Sequence, residues 1–143
     1  MKKQDFMQLL KIAGLSLILF LATCWTGGIS FALAATVEGL CFFVFTRYCC
    51  ENFRSETLRC WQIALAIIVG SCIIELPLRV NDFAGTLVSA SVPIMRVIGI
   101  VLGAVCCNRN KVLVLLLCVA AIPICSYFLC DGWFTFWLEN FKR

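Results

Sequence analysis

Ile12–Thr46, IAGLSLILFLATCWTGGISFALAATVEGLCFFVFT, is the stretch that decides the fold, and Glu38 is its one charged residue. As a single helix it would reach about 50 Å at 1.5 Å per residue, against a hydrocarbon core of about 30 Å. That is too long for one crossing. Thr26-Gly27-Gly28 near its middle supplies the break, because adjacent glycines admit a tight turn. The stretch therefore divides into a first span near Leu9–Thr26 and a second near Ile29–Tyr48.

The rest of the chain repeats the pattern. A charged segment from Arg47 to Arg59 precedes a third span, Cys60–Leu78, which stops at Pro77 and Arg79. A fourth covers Ala84–Cys107 with Pro93 and Arg96 inside it. The short basic turn Asn108-Arg109-Asn110-Lys111 leads to a fifth, Val112–Cys130, carrying Pro123. The tail, residues 131–143, holds Phe134, Trp137, Leu138 and Phe141 on one helical face and Thr135, Glu139 and Lys142 on the other. This is the pattern of a short helix lying in the headgroup region. The expectation is an all-α, polytopic transmembrane bundle in a single domain, with five spans; four is the alternative.

Composition agrees. Of the 143 residues, 62% are hydrophobic and 14% charged, where a soluble domain carries roughly 45–50% and about 25%. So small a core could not bury that excess, so lipid is the expected partner. The net charge of +4 comes from cations in ones and twos at the ends of apolar runs. No basic stripe or stacking platform accompanies them, which excludes nucleic acid. With the amino terminus inside, Lys2, Lys3, Lys11, Arg47, Arg54, Arg59, Arg109 and Lys111 fall on the cytoplasmic side. Arg79, Lys142 and Arg143 fall outside. The expected location is the inner membrane, with an extracytoplasmic carboxyl terminus. Ala32-Leu33-Ala34 has the small residues of a signal-peptide cleavage site, but the apolar region before it exceeds the usual length.

Lys11 and Arg47 stand at the cytoplasmic ends of their spans, and three ionisable residues lie deeper inside the expected spans: Glu38, Glu75 and Arg96. A charge near the bilayer centre costs at least about 2.5–3.5 kcal/mol, so each should face protein or water. Glu38 and Arg96 differ in depth by roughly 5 Å, which an arginine can reach across to pair with a carboxylate. Glu75 is the alternative partner. Arg96, Gly99 and Gly103 share a helix face, and Gly99-Ile-Val-Leu-Gly103 is a GxxxG that lets another backbone approach.

The eleven cysteines form no CxxC, and there is no histidine. Haem attachment, Cys/His zinc sites and imidazole acid–base chemistry are thereby removed, and no cofactor or metal is expected. Cys24, Cys41, Cys72, Cys118 and Cys125 read as small apolar fillers. Cys49, Cys50, Cys60, Cys106 and Cys107 fall at the cytoplasmic boundary, as a thiol cluster able to take a soft metal or palmitate. Cys24 and Cys130, both near the outer boundary, are a candidate disulfide. No Ser-His-Asp set, Walker loop or HExxH is present, so no catalytic residues are named.

The stretch Glu75-Leu-Pro-Leu-Arg79-Val-Asn-Asp82-Phe83-Ala-Gly-Thr86-Leu-Val-Ser89 resembles a pattern in small bacterial multi-span proteins of no established function. In them an aromatic tail similar to Gly132-Trp133 through Phe141 can lead into an extracytoplasmic thioredoxin-like domain. More distantly it resembles the membrane part of the methylamine-utilisation and DoxX-like group. The resemblance covers the carboxyl-terminal half and implies an external carboxyl terminus beside redox or export machinery; the absence of CxxC departs from it. The leading expectation is a non-enzymatic accessory or scaffold acting with a protein partner or a second copy. The alternatives are a small-solute or ion transporter using Glu38, Glu75 and Arg96, and a thiol-based electron relay.

Overall fold

The structure, a computed structural model, describes residues 2–23, 31–73, 75, 91–107 and 112–130. Among these residues the chain is all-α, with five helices and no strand. α1 covers Lys3–Thr23, α2 Phe31–Phe53, α3 Cys60–Cys72, α4 Ser91–Cys106 and α5 Val112–Cys130. Two of them, α1 and α2, contain segments long and apolar enough to cross a membrane; the apolar segments of the other three are shorter. The Thr26-Gly27-Gly28 break, Pro77, the basic turn at 108–111 and the aromatic tail lie outside the described residues, as does nearly all of the stretch from Glu75 to Ser89.

Local chemistry places the helix ends. α1 begins at Lys3, earlier than the apolar pattern alone marks. The Asp5 carboxylate accepts from the Lys2 amide at 3.2 Å, satisfying a donor that a helix start leaves open. At its far end α2 runs five residues beyond the expected boundary at Tyr48, through to Phe53. The reason is local: Arg47 Nε lies 2.9 Å from Glu51 Oε1 one turn on, and Asn52 Nδ2 donates to the Tyr48 carbonyl at 2.9 Å. Charges read from sequence as a loop are thus the polar last turns of a helix. The connection to α3 is closed by Leu58, fully buried, whose amide donates to Ser55 Oγ at 3.0 Å. α3 then starts with Gln62 Oε1 accepting from the Arg59 amide at 3.0 Å.

Packing organises the helices around one pair. α2 and α4 share the most extensive interface, α3 lies on α1, and α5 packs against both α2 and α4. Two apolar clusters result. Ile12, Phe42, Leu58, Ile63, Ile67 and Ile100 fill the space between the central pair and α1/α3. Ala34, Ala35, Phe43, Met95 and Ile122 fill the space towards α5. The GxxxG of α4 makes the central interface close. A Cβ on Gly99 would overlap the Gly39 carbonyl of α2, and one on Gly103 would sit 2.6 Å from the Phe43 carbonyl. Gly39 itself receives Ile122 of α5, whose Cγ2 would be 2.8 Å from an added Cβ. A second link to α5 is polar: Thr36 Oγ1 and Ser126 Oγ are hydrogen-bonded at 2.6 Å.

The outward surface is apolar on each helix. Val112, Leu113, Leu116 and Leu117 of α5 each expose 60% or more of their surface, and Ile18, Val44, Trp61 and Val105 do the same on the other four helices.

The close α2–α4 approach gives a matched pair of substitutions. Gly99→Ala places a methyl in the Gly39 backbone and should destabilise the bundle by about 1–3 kcal/mol. Gly14→Ala, where an added Cβ meets nothing within 4 Å, should be neutral or stabilise by up to about 1 kcal/mol through helix propensity. Denaturant unfolding in detergent compares them, and equal effects would contradict the packing.

Candidate functional site

The buried polar centre is built on Arg96. It projects from the middle of α4 with none of its surface exposed. Its Nε donates to Glu38 Oε2 on α2 at 2.7 Å, and its Nη1 donates to Glu75 Oε2, just beyond α3, at 2.5 Å. Nη1 also lies 3.4 Å from the Ser71 carbonyl and 3.8 Å from Cys72 Sγ. Glu38 and Glu75 are buried as well. The guanidinium lies over two aromatic rings: its central carbon is 4.5 Å from the Phe20 centroid and 5.6 Å from that of Phe42.

Each contact has an energetic reason. Removing an ion from water costs several kcal/mol, and only close, well-directed partners offset it. At 4 Å and an effective dielectric near 20, an opposite charge returns about 4 kcal/mol. The arginine fork presents donors to two carboxylates at once, which a lysine could not do in the same plane. Ring faces add further attraction for the cation. One feature remains open: Arg96 Nη2 has no hydrogen-bond partner among the described residues.

Sequence depth put Arg96 within reach of Glu38 and kept Glu75 as the alternative; in the structure the guanidinium holds both. Phe20 and Phe42 were not singled out. Phe42 stands one turn after Glu38, a spacing that could have flagged it, whereas nothing in the sequence marks Phe20. Gly99 and Gly103, on the Arg96 face, bring α2 close enough for the pair to form.

The boundary cysteines divide. Cys50, Cys60 and Cys107 come together, with every sulfur within 4.8 Å of the others. Cys106 instead faces Cys118 of α5, sulfur to sulfur at 3.3 Å. Cys49 is buried in the apolar cluster with Ile12 and Phe42. The expected five-thiol group is therefore a group of three. Cys49 and Cys106 leave it because neighbouring helix positions point about 100° apart. Cys72 and Cys118, expected as fillers, touch Arg96 and Cys106 respectively. Cys41, Cys72, Cys118 and Cys125 are free thiols. The Cys24–Cys130 disulfide lies outside the described side chains.

No family model matches the chain, and neither a curated protein nor a solved structure does.

The charge cluster should behave as a unit. Arg96→Met leaves Glu38 and Glu75 buried without the guanidinium and should cost about 3–5 kcal/mol. Adding Glu38→Gln and Glu75→Gln to it should recover part of that loss, since the surplus charge goes with them. Detergent unfolding of the single, double and triple variants measures the coupling; strictly additive effects would show that the three side chains act independently.

Proposed function

We propose that the chain is a multi-pass inner-membrane bundle, amino terminus cytoplasmic, acting as a non-enzymatic accessory or scaffold that holds a protein partner or a second copy. The observation that carries this is the buried charge cluster: Arg96 is bonded to both Glu38 and Glu75, with Phe20 and Phe42 against it. Such an arrangement fixes the rotation of α2 and α4 and the end of α3, which suits a rigid support. The apolar outward faces on all five helices support lipid as the surrounding medium. The concentration of Lys and Arg in the amino-terminal segment, the 54–59 connection and residues 108–111 of the sequence supports the orientation. Small hydroxyl and glycine residues at the helix contacts are what packing in lipid favours.

One observation favours a second reading, transport of a cation or proton. Three ionisable side chains meet in the interior of the bundle, and intramembrane charges often mark pathways.

Three measurements separate these readings. The scaffold reading expects a specific protein, or the chain itself, to copurify stoichiometrically in mild detergent. It also expects proteoliposomes to hold a proton or sodium gradient as well as empty vesicles do. A flux that disappears on Glu75→Gln would replace the scaffold with the transporter. Orientation needs exposed reporters, because Cys49, Cys50 and Cys107 are buried and would resist reagents from either side. Glu56→Cys, on the exposed connection, should stay unlabelled by an impermeant maleimide in intact cells, while a cysteine appended after Arg143 should label. The opposite pattern would invert the topology.

A further inference from the structure

Three chain segments end at one level of the bundle and each brings a sulfur there. Cys50 stands in the last turn of α2, Cys60 is the first residue of α3, and Cys107 lies in the turn beyond α4. Cys60 and Cys107 have sulfurs 3.1 Å apart, and all three sulfurs fall within 4.8 Å of one another. A thiolate–metal bond of about 2.3 Å places three sulfurs about 4 Å apart in a flat trigonal arrangement, so the observed spread brackets the required one. Cys50 and Cys107 are buried, whereas Cys60 is half-buried. Cys60 also opens on a polar recess of 430 Å³ lined by Arg54, Ser55, Glu56, Arg59, Cys60 and Trp61. The sulfurs thus have an entry path from solvent.

We propose that Cys50, Cys60 and Cys107 form a three-coordinate site for a soft monovalent cation, Cu(I), entered through the recess beside the 54–59 connection. Thiolates select soft cations over hard ones. Zinc in structural sites takes four ligands, whereas three sulfurs meet here among the described residues. Cu(I) is satisfied by three sulfurs. Charge is managed locally. Three thiolates around one Cu(I) carry a net negative charge, and the positive charge of Arg54, which lines the recess, stands near the Cys107 sulfur. Each thiol gives up its proton to water as its sulfur–metal bond forms, with no change of oxidation state.

The test is anaerobic titration of the detergent-purified chain with Cu(I) against a chromogenic Cu(I) chelator. We expect one Cu(I) per chain at the site and a loss of at least tenfold in affinity for Cys60→Ser and for Cys107→Ser. Cys125→Ser and Cys118→Ser should retain it. Cu(I) should also protect Cys60 of the unaltered chain from maleimide, a readout independent of how well the variants fold. Three outcomes would each overturn the proposal: binding unchanged without Cys60, binding lost with Cys118 instead, or Zn(II) displacing Cu(I) at equal concentration.

Discussion

Arg96 is the constraint to which the rest of the structure answers. A guanidinium with no exposed surface requires carboxylates at fixed distances, and two are supplied from different parts of the chain, Glu38 on α2 and Glu75 beyond α3. Both bonds are short enough to set helix rotation as well as separation. A turn of α2 by one residue would carry Glu38 about 100° away from the fork. The small residues around the cluster follow from this demand. Only glycine at position 99 lets α4 come close enough to α2 for the Nε–Oε2 distance to fall to 2.7 Å.

The two apolar clusters are consequences of the same geometry. With α2 and α4 locked together, one side of the pair is left for α1 and α3 and the other for α5. On the α3 side, Gly70 approaches α1 so closely that a Cβ would overlap Ala13 and Ser16. The fifth helix joins differently. Ile122 seats over Gly39, and one hydroxyl pair, Thr36 with Ser126, supplies the direction that an apolar contact lacks.

Much of this could be read from the residues alone, because hydrophobic runs and isolated charges are local facts. The helical character of the chain, the shared face of Arg96, Gly99 and Gly103, and the reach from Arg96 to Glu38 all depend on spacing within a helix. Other features depend on how helices meet, which spacing does not report. Glu75 joins the cluster because α3 is rotated towards α4. Phe20 covers the guanidinium because α1 happens to cross there. The sorting of Cys49, Cys50, Cys106 and Cys107 into different surroundings is likewise a matter of rotation between adjacent positions. The continuation of α2 to Phe53 was obscured for a different reason: an Arg47–Glu51 pair looks like a loop by hydropathy and like a helix only by its four-residue interval.

The order of the cluster along the chain bears on how the protein is made. Glu38 precedes Arg96 by 58 residues and Glu75 precedes it by 21, so both acids emerge from the ribosome before the base that binds them. On the proposed membrane reading, α1, α2 and α3 are synthesised before the guanidinium that joins Glu38 to Glu75 exists. Only the arrival of α4 closes the circuit, which makes that helix the checkpoint of assembly. A chain stalled before position 96 would carry both acids without the base that joins α2 and the end of α3 to α4, so the polar centre of an unfinished product stays open.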